Sequence, residues 1–153
     1  MNRYLFNTLA LAACLITGLS AQEAKEEELK PKDVPPSVVS AAAKAYPNAK
    51  IREWAKENED GKTLYEASMV DGAKKRDVLF AADGTVVAVE EVIPMGEVPA
   101  AVKDAIKAKY PKGVIHSTEK IIRGRDVQYE IGLRNAAKKE VVVAADGRIV
   151  KEE

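Results

Sequence analysis

The sequence predicts an α+β protein made of two tandem repeats, each one helix followed by a four-stranded antiparallel sheet, the two sheets able to join into one continuous sheet. Three observations predict it. Short motifs recur along the chain at a spacing of 63 or 64 residues. Each copy opens on a proline-started apolar stripe that stops at Tyr-Pro. The remainder of each copy alternates apolar and polar residues and has an Asp-Gly turn near its end.

The repeat is read directly. Val34-Pro35 returns as Val98-Pro99, Tyr46-Pro47 as Tyr110-Pro111 and Tyr65-Glu66 as Tyr129-Glu130, each displaced by 64 positions. Ala81-Ala82-Asp83-Gly84 returns as Ala144-Ala145-Asp146-Gly147, displaced by 63, so one residue is missing between the last two landmarks. A unit of about 60 residues buries too little surface to be more than marginal alone, and a doubled unit does better.

Residues 1–21 read as an export signal. Arg3 supplies the positive end, Leu9 to Leu19 an apolar run, and Gly18, Ser20 and Ala21 the small side chains a signal peptidase requires. The run is shorter than the roughly 20 residues of a membrane span, so no span is expected after processing. Cleavage after Ala21, leaving Gln22 first, is the preferred reading. Leu11-Ala12-Ala13-Cys14 offers an alternative, because it matches a lipoprotein cleavage box in which Cys14 is lipidated; the apolar run continuing past Cys14 opposes it. Cys14 is the sole cysteine, so a chain starting at Gln22 has no disulfide, thiolate metal site or cysteine nucleophile. Residues 22–32, charged and unpatterned, read as a flexible leader.

Repeat 1 spans 33–93 and repeat 2 spans 97–153, with 94–96 as linker. The helices are expected to begin at Pro35 and Pro99, where a proline presets φ, and to end before Pro47 and Pro111. Val38, Ala41, Ala42 and Ala45 form one apolar stripe; Val102, Ala105 and Ile106 form the other. In the strand after the first turn, Val127, Tyr129, Ile131 and Leu133 alternate with Gln128, Glu130, Gly132 and Arg134. Thr63, Tyr65, Ala67 and Met69 alternate likewise with Leu64, Glu66 and Ser68. One set must meet the helix, and the other stays wet or meets a partner. The consecutive apolar runs Val86 to Val89 and Val141 to Val143 suggest burial on both faces, where the copies could join.

On these landmarks the chain resembles the PepSY-like family whose tandem members are named for the β-lactamase inhibitor protein. The resemblance covers both copies and rests on the order and spacing of the helix ending in Tyr-Pro, the Tyr-Glu strand and the Asp-Gly turn. It implies exported, non-catalytic modules, some of which bind or inhibit enzymes, and it carries over no catalytic set. The chain departs from the inhibitor in lacking its disulfides, so inhibition of a β-lactamase is not expected from the resemblance.

Composition narrows the function classes. Lysine plus arginine and aspartate plus glutamate are each 24, so zero net charge gives no field for nucleic acid. His116, the lone histidine, has no second nitrogen or sulfur ligand and reads as structural. The Asp-Gly pairs read as hairpin turns, since Ala81-Ala82 supplies none of the alternating oxygens of a calcium loop. No metal or cofactor is expected. Glu66 and Glu130 occupy equivalent strand positions; a carboxylate pair could serve acid–base chemistry, but equivalence by duplication predicts separation. Trp54 has Thr118 as its counterpart and reads as either core filler or interface anchor. The leading reading is a non-catalytic exported module that binds a protein or peptide through an open sheet face lined by Leu64, Glu66, Gln128, Glu130 and Arg134, with Trp54 as anchor. The alternative is a lipid-anchored structural or envelope-stress protein.

Overall fold

The computed structural model describes residues 27–59 and 61–153. Residues 1–26, which include the expected export signal and Cys14, lie outside them. Nine strands and two α-helices follow in the order β1 (Glu27–Leu29), α1 (Pro36–Ala45), β2 (Lys50–Glu59), β3 (Lys62–Asp71), β4 (Lys74–Ala81), β5 (Val86–Val92), α2 (Ala100–Lys109), β6 (Val114–Arg123), β7 (Asp126–Arg134), β8 (Glu140–Ala144) and β9 (Ile149–Glu152). The strands form one antiparallel sheet in chain order, each bonded to the next. Two four-stranded sheets were expected, with joining left open. β5 pairs with β6, from Val89 opposite Ile122 to Val92 opposite Glu119, and makes them one.

Both helices start as their prolines dictate, one residue later than expected. Pro35 and Pro99 are still extended (ψ 134° and 147°) and stand just before the first helical residue. At the other end Tyr46 and Tyr110 leave the helical region, yet their N–H groups still donate to Ala42 and Ile106. The following prolines forbid another turn.

The duplication reaches the irregularities. A bulge between Ile51 and Glu53 recurs between Ile115 and Ser117, and one between Leu79 and Phe80 recurs between Val142 and Val143. Gly84 and Gly147, both at positive φ, bring their turns against the first turn of α1 and α2, at Ser37 and Ala101. The tyrosines have diverged. Tyr46 lies under the Arg76 guanidinium, 5.6 Å from ring centroid to cation, whereas the Tyr110 hydroxyl donates to Glu152.

The expected flexible leader is corrected at its end. Glu27–Leu29 forms β1 on the outer edge of β2, and Pro31–Asp33 forms a 3-10 turn. Leu29 packs against the first core, and Glu27 pairs with Lys56 at 3.0 Å. The end of β5 makes the same arrangement 64 positions on. Glu91 faces Lys120 as Glu27 faces Lys56, and Met95–Glu97 repeats the 3-10 turn. Charge along 22–32 obscured this, because the pairing depends on backbone groups that an unfinished edge offers to any short extended segment.

Each helix covers half of one sheet face. Val38 and Ala42 meet Trp54, Ala67, Met69, Val78 and Phe80; Val102 and Ile106 meet Tyr129, Ile131, Leu133, Val141 and Val143. Strand alternation sends the intervening residues to the opposite face, away from both helices. We call that the inner face.

Candidate functional site on the inner face

Leu64, Glu66, Gln128 and Glu130 all lie on the inner face, as expected, and Arg134 lies exposed at its end. Trp54 does not. It sits in the core under α1, 6% exposed and paired with Ala67, so the anchor reading is corrected to core filler. The bulge between Ile51 and Glu53 sets which residues of β2 face the helix, and no residue type announces it.

The inner face is not wet. Glu57, Glu66, Asp77, Glu90 and Glu130 are all buried, none more than 8% exposed. The sheet itself buries them. β2 and β6 are four strands apart, roughly 19 Å along a sheet at about 4.8 Å per strand. Yet Arg123 Nη1 on β6 donates to Glu59 Oε2 on β2 at 3.1 Å, between positions 64 apart in the two repeats. Side chains of that length cannot close such a distance over a flat sheet. The sheet therefore curls around the inner face, with the helices outside.

Lateral registration sets the chemistry. Ser68, Asp77, Glu90, Ile121 and Gln128 form one row across five strands, and Glu119, Glu130 and Val142 form part of the next. Glu119 and Glu130 are directly opposed. Two carboxylates so placed repel unless one is protonated. Burial, reinforced by Glu119 and Glu140, pushes Glu130 up to about 9. Burial, with Asp77 and Glu140 adding to it, raises Glu119 to about 7. Burial, with Glu119 and Asp77 opposed only by Arg123, raises Glu90 to about 8. At neutral pH Glu90 and Glu130 are therefore largely protonated and Glu119 about half so, and each protonated acid can donate as well as accept.

Glu66 and Glu130 do not oppose each other. Glu66 faces Leu79 and accepts from Ser68 Oγ, whereas the carboxyl opposite Glu130 belongs to Glu119. The charges acting on Glu130 are those of Glu119, Glu140, Glu90 and Glu153. Asp77, Glu90, Glu119, Glu59 and Arg123 were missed by sequence reasoning. Their only signal was strand parity, which Glu90-Glu91 and the Val78-Leu79-Phe80 run leave ambiguous. His116 lies at the second bulge, where Ser117 Oγ occupies the space a side chain at Gly132 would need. Among the described residues no group of three or more histidine, cysteine or acidic side chains is placed to hold a metal ion, and no helix is long and apolar enough to cross a membrane.

A doubled helix-and-meander unit, helices outside and a polar face inside a curled sheet, defines a small class of tandem α+β modules. The chain belongs to the family described as "Putative beta-lactamase-inhibitor-like, PepSY-like", whose model matches residues 20–69 and again 63–151. Among solved structures it is similar to a Bacteroides eggerthii protein described as "putative periplasmic", with TM-score 0.66, 25% identity and coverage of 78% of this chain and 88% of that one. It also shares its fold with a BLIP-like protein of Bacteroides fragilis, with TM-score 0.58, 20% identity and coverage of 76% and 83%. No curated protein matches it at a significant level.

Proposed function

We propose that this protein is an exported, non-catalytic binding module that receives a protein or peptide segment on the inner face of its curled sheet. The observation that carries the reading is one polar face, shared by both repeats, that neither helix covers. Gln128 and, at its rim, Arg134 are accessible on it, with Leu64, Glu66 and Glu130 buried deeper on the same face. Glu66 and Glu130 each face a different partner, Leu79 and Glu119, which speaks against acid–base catalysis by that pair. The B. eggerthii relative and the signal-like residues 1–21 support export.

Site-specific photo-cross-linking in cells that export the chain tests the face. A photoreactive residue at Gln128 or Arg134 is expected to trap a partner, and one at Val39, exposed on the outer side of α1, to trap none. Adducts from Val39 alone would move the binding surface to the helices.

Processing is tested separately. Mass spectrometry of the mature chain is expected to show an unmodified N-terminus at Gln22. A diacylated Cys14 would instead support the lipid-anchored alternative.

A further inference from the structure

Arg123 ends β6 on the inner face, and only part of its guanidinium is used. Nη1 is held by Glu59 Oε2. Nε and Nη2 are buried and meet no acceptor on the protein. Those two N–H groups lie on one edge of the guanidinium and point the same way, the geometry that takes both oxygens of a carboxylate. On the neighbouring strand, Gln128 is the diagonal neighbour of Arg123 on the same face, since Ile121 faces Gln128 and Arg123 faces Asp126. Its Oε1 is also buried without a donor. Buried polar atoms without partners are uncommon in folded proteins and call for an explanation each time they occur. Here three of them belong to diagonal neighbours on two adjacent strands.

We propose that Arg123, oriented by Glu59, is the recognition point for a carboxylate of the bound partner, with Gln128 as its second contact. The inference rests on the inner face being the binding surface and adds the chemistry of what binds there. Glu59 fixes one nitrogen and thereby aims the opposite edge, so little orientational freedom is lost when a carboxylate arrives. Turning the Gln128 amide over presents Nε2–H to the same ligand, since the two ends of an amide are told apart only by the bonds they make. The side chain of Arg123 is 20% exposed, which places it at the rim, beside the turn at Gly124. Of the inner carboxyls, Glu90 is coupled to Arg123, but burial keeps it largely neutral at pH 7, so it does not compete for that edge as an anion.

The carboxylate could belong to an acidic side chain or to a chain terminus. Two probes separate them: N-acetyl-aspartate N-methylamide for the first and N-acetylglycine for the second. N-acetyl-asparagine N-methylamide is the uncharged control. With the full mature chain labelled with ¹⁵N, the Arg123 Nε–Hε resonance is expected to shift saturably with at least one carboxylate probe and not with the control. The probe that binds more tightly names the source. Arg123→Lys keeps the charge and loses the fork. It is expected to weaken binding at least tenfold, read on the Gln128 side-chain amide. No saturable shift with either probe, an equal shift with the control, or unchanged binding in Arg123→Lys would overturn the proposal. If the lysine variant does not fold, the comparison of charged and uncharged probes on the unaltered protein decides. Cross-links from Gln128 without these shifts would retain the binding face and remove the carboxylate; shifts without cross-links would do the reverse.

Discussion

Thermal stability is expected to be highest near pH 5 and to fall by about 10 °C in Tm as the pH rises to about 9. Most proteins rely on carboxylates that are more acidic when folded; here three inner-face carboxyls are less acidic. Glu119, Glu90 and Glu130 are held at about 7, 8 and 9 against an ordinary value of 4.5. Between 4.5 and those values the folded chain binds more protons than the unfolded one, so stability declines with rising pH. The contribution is fully present below 4.5 and is lost as the pH passes through the folded values. Holding one such carboxyl protonated corresponds to on the order of 3 kcal/mol, and because the three are neighbours their effects do not sum. In acid the opposite sign takes over. Glu91, where hydrogen bonds from Lys74 and Arg76 outweigh burial, and Asp83, which accepts from the Thr85 backbone, are both more acidic than usual. Melting curves followed by circular dichroism across this range check the slope. Glu130→Gln, which resembles the protonated acid and cannot ionise, is expected to recover about 1–2 kcal/mol at alkaline pH and to change little near pH 5. A Tm that is flat or rises from pH 5 to 9 would show that the inner carboxyls ionise freely.

Gly84→Val and Gly147→Val are each expected to cost about 3 kcal/mol or more, the sum of backbone strain and forced separation of helix from sheet. Both glycines have left-handed φ, 89° and 92°. A Cβ at either would sit 2.8 Å from a helix carbonyl oxygen, that of Ser37 in the first repeat and Ala101 in the second. Backbone cannot move aside as a side-chain tip can, so the helix must lift. Gly61, Gly72 and Gly124 share the positive φ but have open space around them. Alanine there is expected to cost only about 1 kcal/mol, for strain alone. Urea unfolding of the five variants separates the two contributions. Equal losses across all five would mean that the Asp-Gly turns do not support the helices.

Much of this architecture was legible in the residues. The recurrence of Tyr-Pro, Tyr-Glu and Asp-Gly located the repeat, and the alternation from Val127 to Arg134 assigned each side chain of β7 to its correct face. Local rules sufficed there, because a proline or an Asp-Gly pair acts on its own backbone and a strand's parity is fixed residue by residue. The site was half legible. Leu64, Glu66, Gln128 and Glu130 were placed on one face, but Trp54 was left between core filler and anchor, since a bulge two residues earlier sets the parity of β2 and no residue type announces it. β1 was passed over because three residues of charged sequence form a strand only where an edge awaits them.

The chain alone determined that a greasy helix stripe and an alternating meander are made twice, and in what order. It could not determine that the nine strands curl far enough for Glu59 to meet Arg123. Curl accumulates from the small twist between every pair of neighbouring strands and is a property of the whole sheet. That accumulated bend is what turns a face expected to be solvated into a buried, largely protonated one, and it is why the site's electrostatics belong to the tertiary structure.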